Sequence, residues 1–273
     1  MSIPGNISKC VILARGLGTR MRSGEAGAPL DTEQSSVASS GLKAMIPVGR
    51  PFLDCVLSAL ADAKFQQACL VIGPEHNLVR EYFTRVHPTR IEVSLTVQAE
   101  ALGTANAVLA AEQFAGAEEF VTINSDNYYP VEVLRTLQEL GQPGTVLFEA
   151  DALVPESNIP AERVRDFAYA VIDAKGFLTD LIEKPDAATA AKLPGPKLVS
   201  MNCWRFDRDI FPVCREVPLS PRGEYELPLA VKLAIQQGLQ FKAATCRAGV
   251  LDLSRRSDIA AVAERLRDVK VRL

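Results

Sequence analysis

The residues best suited to chemistry stand at the start of the chain, in the run Lys9-Cys10-Val11-Ile12-Leu13-Ala14-Arg15-Gly16-Leu17-Gly18-Thr19-Arg20. An apolar, strand-prone stretch ends in a turn holding Gly16 and Gly18, and Arg20 follows two residues after the second glycine. Glycine lets the backbone turn tightly and aim its N–H groups at an anion. A helix beginning just beyond would turn its positive end to the same spot. Arg20 adds a permanently charged fork suited to phosphate oxygens. Together these features point to a polyphosphate site, although glycine turns between strand and helix serve packing alone about as often. The run lacks the third glycine and the following acidic residue of a dinucleotide fingerprint. It also lacks the Gly-Lys-Ser/Thr ending of a P-loop.

Composition narrows the partners. The chain has 273 residues, 48% of them hydrophobic and 23% charged, which suits a soluble globular protein with a substantial core. A net charge of -3 argues against a nucleic-acid partner. No apolar run is long enough to span a bilayer, and the start lacks the form of a signal peptide, so a cytoplasmic protein with no membrane partner is expected. The six cysteines are scattered without a C-x-x-C pair and read as reduced core thiols. His76 and His87 are the only histidines and have no cysteine near them, which disfavours zinc and histidine-centred catalysis.

These residues need a frame to hold them. Strand-prone runs at 9–14, 68–72, 92–97 and 119–123 alternate with helical apolar spacing at 52–64, 77–85 and 104–114. Such alternation predicts a parallel sheet covered on both faces, with ligands bound beyond the strand C-termini. The glycine turn and the segment Asn124-Ser125-Asp126-Asn127 would then share one edge. In the second half, strands are expected at 145–149, 168–173, 178–182, 199–206 and 241–246, and helices at 131–140, 225–238 and 256–268. Lys175-Gly176 marks a hairpin there. The whole reads as a single α/β domain with a mixed, mostly parallel sheet flanked by helices. Residues 22–41 are small, polar and glycine-bearing, and read as a mobile surface loop or a lid.

Six short motifs, in order along nearly the whole chain, resemble those of the sugar-1-phosphate nucleotidyltransferases. Leu13 to Met21 resembles the family's glycine loop, and Gly41 to Pro51 its lysine motif. Gln98 to Ala105 is similar to the base-recognition motif, and Asn124 to Asn127 to the metal-binding turn. Ile182-Glu183-Lys184-Pro185 resembles the sugar-side motif, and Gly249 to Asp252 falls where a second metal aspartate stands.

The resemblance implies a Rossmann-like nucleotidyltransferase domain, with a nucleotide half at about 1–140 and a sugar-phosphate half at about 141–273. It also implies nucleotidyl transfer from a nucleoside triphosphate to a sugar 1-phosphate, with Mg²⁺ as cofactor. Arg20, Lys43 and Asp126 would be catalytic, and Asp126 and Asp252 would hold the metal. Ala14, Arg15, Gly16, Gly18, Thr19, Gln98, Gly103 and Thr104 would bind nucleotide, Gly103 by close approach to the base. Glu183, Lys184, Asn202 and Glu224 would bind the sugar phosphate. Taken singly, Asp126 and Asp252 read as turn or cap residues, Lys43 as a solvated lysine and Glu224 as a helix-start charge. Gln98 carries the donor and acceptor that suit uracil or thymine, so UTP or dTTP with glucose 1-phosphate is the expected pair.

The chain departs from the family pattern in several places. Arg15 stands where glycine is usual and Ser125 where glycine commonly precedes the metal aspartate. Residues 21–42, 22 in all, separate Arg20 from Lys43, where about ten are typical. Little chain follows Asp252, which leaves no room for a left-handed β-helix. A non-sugar acceptor such as phosphocholine, or a regulatory protein that binds nucleotide without turnover, remain as alternatives, and homo-oligomerisation stays open. A dehydrogenase fails on the dinucleotide fingerprint.

Overall fold

Strand β1 (Lys9–Leu13) shows how the molecule is layered. Val11 and Leu13 enter one hydrophobic core, while Cys10 and Ile12 enter another on the opposite face. A strand buried on both faces reads as a continuous apolar run because neither side meets water. The computed structural model describes residues 7–23 and 30–273.

The other strands are β2 (Gln67–Ile72), β3 (Glu92–Val97), β4 (Phe120–Asn124), β5 (Asn127–Tyr128), β6 (Gly144–Glu149), β7 (Ala168–Ile172), β8 (Leu178–Ile182), β9 (Leu198–Phe206), β10 (Lys242–Cys246) and β11 (Leu251–Asp252). The main sheet runs in the order β10-β6-β9-β4-β1-β2-β3, with the β7–β8 hairpin added through β9. Strands β3, β2, β1 and β4 are mutually parallel, β10 pairs parallel with β6, and β9 runs antiparallel to both β4 and β6. The sheet is therefore mixed and mostly parallel. Its chain order reverses at β1, which has β2 on one side and β4 on the other. Open α/β sheets bind ligands in the crevice beyond such a reversal. Here that crevice lies between the glycine loop after β1 and the turn after β4.

Twelve α-helices accompany the strands among the described residues. They are α1 (Thr19–Arg22), α2 (Thr32–Ser40), α3 (Phe52–Asp62), α4 (Asn77–Arg85), α5 (Thr104–Ala110), α6 (Glu112–Ala115), α7 (Val131–Glu139), α8 (Ala150–Glu156), α9 (Ala187–Lys192), α10 (Ile210–Glu216), α11 (Leu227–Gln236) and α12 (Asp258–Leu266). None of the described helices is long and apolar enough to cross a membrane.

The strands expected from sequence form with ends shifted by a residue or so. The hairpin at Lys175-Gly176 is present, with Gly176 at φ 77° and the Asp173 carboxylate accepting from the Lys175 and Phe177 N–H groups. The predicted helix at 104–114 divides into α5 and α6 at Ala111.

The segment 22–41 needs correcting. Part of it, Thr32–Ser40, is a helix and not a loop. Its ends explain why: Asp31 accepts from the Gln34 N–H at 2.7 Å, Gln34 returns a bond to the Asp31 N–H, and Gly41 closes the helix at φ 80°. That reciprocal cap satisfies two of the otherwise unpaired N–H groups of the first turn. Residues 24–29 of the same segment lie outside the described residues.

Candidate active site

At the reversal point a cleft of about 390 Å³ opens beyond the strand ends, lined by the glycine loop, Lys43, Asp126 and a loop from the second half of the chain. Its geometry begins with a contact between two glycines. Gly18 sits at φ 60°, and a Cβ there would stand 2.5 Å from the Gly41 carbonyl oxygen. Only glycine at both positions allows the approach. The Arg22 guanidinium fastens the same junction by donating to the Ser40 carbonyl at 2.7 Å. Lys43, two residues past Gly41, is thereby delivered beside the glycine loop although 22 residues separate it from Arg20 in sequence.

The helix expected beyond the loop is a single turn, Thr19–Arg22. Anion binding in the cleft therefore falls to loop N–H groups and side chains more than to a helix end. Gly16 faces open space. Arg20 is exposed on the cleft wall and forms no ion pair among the described residues.

Opposite it, Lys43 Nζ donates to Asp126 Oδ2 at 2.8 Å, and both side chains are about one-fifth exposed. Burial pulls the Lys43 pKa down, but the charge and hydrogen bond of Asp126, helped by Asp252 and opposed by Arg20, leave it above its ordinary value. Lys43 is thus a firmly charged ammonium.

Asp126 stands one residue before β5, and β5 pairs antiparallel with β11 so that Asp252 lies opposite Asn127. The two aspartates are therefore brought together across 126 residues of chain, with the Leu253 N–H donating to the Asp126 carbonyl at 2.8 Å. Their side chains differ in freedom. Asp126 keeps Oδ1 without a partner among the described residues. In Asp252, Oδ1 accepts from Asn127 and Ser254, and Oδ2 accepts from Arg163 at 2.5 Å. Burial and the neighbouring Asp126 charge push the Asp252 pKa up to about 6, against the pull of Arg163.

Magnesium favours one or two carboxylates plus substrate phosphates over an all-protein cage. Asp126 fits that donor set. Asp252 would join only on release from Arg163. Among the described residues no cluster of three or more histidine, cysteine, aspartate or glutamate side chains could hold a metal by itself.

The second half reaches the cleft through the loop before α11. A Cβ on Gly103 would lie 2.5 Å from the Tyr225 carbonyl oxygen, so the close approach that demands glycine there is that of the Tyr225 backbone. This packing reason stands beside the expected one, approach to a base. Ala105 N–H donates to the Tyr225 carbonyl, Tyr225 N–H to the Leu102 carbonyl, and Leu227 N–H to Thr104 Oγ1, each at 2.8 Å. These bonds hold Glu224 and Arg222 against the cleft wall. Arg222, whose guanidinium bonds to Glu226 at 2.7 Å, is a cleft residue that sequence reasoning missed. The only cue was its place two residues before Glu224.

Ala14, Arg15, Gly16, Gly18, Thr19, Arg20, Lys43, Gly103, Thr104, Asp126 and Glu224 thus share one cleft, as their sequence motifs imply. Gln98, Glu183, Lys184, Asn202 and Asp252 do not line it. Gln98 is buried behind the wall, its Nε2 donating to the Gly103 carbonyl at 3.0 Å and to Asn106 Oδ1 at 2.8 Å. Burial and then Glu226 raise the Glu183 pKa, against Arg222, Lys184 and Lys232, so Glu183 belongs to the same charged neighbourhood as Arg222.

Lys184 at φ 42° and Asn202 at φ 55° are two of only three non-glycine residues with positive φ among those described. Strained backbone of this kind persists where surrounding structure over-determines it, often at functional sites. Asn202 also has an architectural reason. It stands where β9 changes partner, pairing with β7 over residues 198–200 and with β4 over residues 204–206.

Comparison with known proteins agrees with this geometry. A family model described as nucleotidyl transferase matches residues 9–250. A UTP–glucose-1-phosphate uridylyltransferase of Haloferax volcanii is 25% identical over 261 residues, covering 95% of this chain and 97% of its own length. The bifunctional protein GlmU of Rhodopseudomonas palustris is 30% identical over 237 residues, covering 85% of this chain and 46% of its own, so the chain spans about half of that relative. The crystal structure of a UDP-glucose pyrophosphorylase complexed with UDP-glucose superposes with a TM-score of 0.74 at 18% identity, covering 97% of this chain and all of the other, a likeness of fold.

Proposed function

The chain belongs to the nucleotidyl transferase family, and on that premise we propose that it is the enzyme that transfers a nucleotidyl group to a sugar 1-phosphate, with UTP or dTTP as donor and glucose 1-phosphate as acceptor. The observation that carries this reading is the convergence of the glycine loop, exposed Arg20, charged Lys43 and Asp126 in a single cleft at the sheet reversal. The pyrimidine and the sugar follow the sequence motifs and the uridylyltransferase relative.

In this reading an oxygen of the acceptor's phosphate attacks the α-phosphorus of the nucleotide. The new O–P bond forms as the bond to the bridging oxygen breaks, and pyrophosphate leaves with that electron pair. The attacking oxygen is already ionised at neutral pH, so no general base is required. Catalysis then consists of positioning and charge compensation.

Lys43 would sit against the α-phosphate, where charge accumulates. Arg20 would take the departing β- and γ-phosphates. Arg222 lies on the wall contributed by the second half and would, with Lys184, hold the acceptor's phosphate. Mg²⁺, held by Asp126, would supply charge neutralisation between the nucleotide phosphates. Asp126 Oδ1, which has no partner among the described residues, would receive it. A quaternary ammonium acceptor such as phosphocholine finds no aromatic side chain among the cleft's lining residues.

The test is pyrophosphate release by purified protein with Mg²⁺, crossing ATP, GTP, CTP, UTP and dTTP with a panel of sugar 1-phosphates and phosphocholine. Release with UTP or dTTP and glucose 1-phosphate is expected. Silence across the panel with nucleotide binding intact would replace this reading with that of a regulatory binder.

A further inference from the structure

The glycine loop holds a second arginine whose surroundings differ from those of Arg20. Arg15 lines the cleft, and its guanidinium makes its contacts at the ends of β2 and β3. Its Nη1 donates to the Gln98 carbonyl at 2.5 Å, just past the end of β3. Its Nε and Nη2 lie 3.4 Å from the two carboxylate oxygens of Glu75, in the turn after β2. In the strand order β4-β1-β2-β3, Asp126 follows β4 and Arg15 reaches over β2 and β3. Three strand spacings, about 14 Å, separate those ends. If the triphosphate occupies the Arg20–Lys43–Asp126 end, the nucleoside extends towards Arg15.

We propose that Arg15 reads the nucleobase, selecting bases that present a ring oxo group (uracil, thymine, guanine) over those that present an amino group there (cytosine, adenine). This rests on the reading of the cleft as a nucleotide site. Three observations favour base reading over phosphate binding.

The first is charge. Arg15 is matched by the Glu75 carboxylate, whereas Arg20 has no carboxylate partner among the described residues. A neutralised guanidinium is a poor anchor for a polyanion but remains a directional donor. The second is donor count. A guanidinium carries five N–H groups, and the three contacts named leave two for a ligand. An oxo oxygen accepts such a bond, whereas an amino group would turn its own N–H against it.

The third is Gln98. Its amide nitrogen is committed to Gly103 and Asn106, while its Oε1 is buried without a partner among the described residues. Gln98, behind the wall, therefore offers the cleft no side-chain donor, and Arg15 is the lining residue that brings one to the β3 end.

Equilibrium dissociation constants for UTP and CTP, whose bases differ by an oxo group and ring N–H against an amino group and bare ring nitrogen, test this on the full chain with Mg²⁺. Wild type, Arg15→Met and Arg15→Gln are compared, with inorganic tripolyphosphate as the probe that lacks a base. The wild type should bind UTP about tenfold or more tighter than CTP, in line with one good discriminating contact. Both variants should bring the ratio to within about threefold of unity and leave tripolyphosphate affinity unchanged. Methionine removes the donors, and glutamine's amide can meet either base.

A wild-type ratio near one, or a ratio preserved in the variants, overturns the proposal. So does tripolyphosphate affinity that falls in step with UTP, which would make Arg15 a phosphate ligand. Because binding needs no turnover, absence of pyrophosphate release beside an intact UTP preference would refute the transferase reading and leave the role of Arg15 standing.

Discussion

Lys43 and Asp126 neutralise each other at 2.8 Å, so removing either charge leaves the other uncompensated in the cleft. Asp126→Asn should keep the fold and its melting temperature while lowering kcat by about 100-fold or more, measured by pyrophosphate release. An active variant would remove Asp126 from the chemistry. His76 offers a different reading of charge. It is buried, its Nδ1 accepts from the Gly73 N–H at 3.2 Å, and burial, with Arg15, Arg80 and Arg22 overcoming the pull of Glu75, holds its pKa below the ordinary 6.5. The folded state therefore favours neutral His76. Its contribution to stability is complete above pH 6.5 and is lost as the pH falls towards the folded pKa. Thermal melts between pH 7 and pH 5 should show this acid-side loss, and His76→Gln should flatten it. At this scale the sequence was legible where a motif names a residue, as with Arg20 and Lys43. It was silent on Arg163, because nothing local marks a guanidinium that will meet Asp252 and Asp258 at 2.5 and 2.6 Å from across the fold.

The elements matter through their ends. Helix α2 depends on the reciprocal cap at Asp31 and Gln34, and Gln34 Nε2 also donates to the Pro47 carbonyl at 3.0 Å, tying the helix to the lysine motif. Asp31→Ala should cost about 1 kcal/mol and lower kcat more than it lowers the melting temperature, since Lys43 hangs on that helix. Gly103→Ala should act at longer range. Its Cβ would displace the Tyr225 backbone and, with it, Arg222 and Glu224. A drop of about 10- to 100-fold in kcat/KM for the sugar phosphate is expected, with circular dichroism unchanged. Alternation of strand and helix made the parallel half readable. The short helices α8 and α10 were not, because Pro155 and Pro212 break the apolar rhythm that would reveal them. Helix α2 was hidden for another reason: its sequence, TEQSSVASS, has almost no apolar face, and capping carries it.

Across the whole molecule, β9 is the seam. It comes from the second half yet pairs with β4 of the first, so both halves share one sheet. Phe206, fully buried beside Phe120, Trp204 and Phe241, sits on that seam. Phe206→Ala should cost about 3–5 kcal/mol and shift a single cooperative transition; two separate transitions in calorimetry would show that the halves unfold independently. The parallel strands β4, β1, β2 and β3 all end at one edge of the sheet, and strand–helix alternation announces such an edge, which is why the site edge was legible from sequence. The insertion of β9 was not, since antiparallel partners leave no local trace. One consequence reaches beyond catalysis. The chain leaves Gly18 and returns to touch it at Gly41, with Arg22 clasping Ser40. Distance along the sequence between Arg20 and Lys43 therefore says little about their distance in space, and the spacing between these two motifs is a poor measure of kinship.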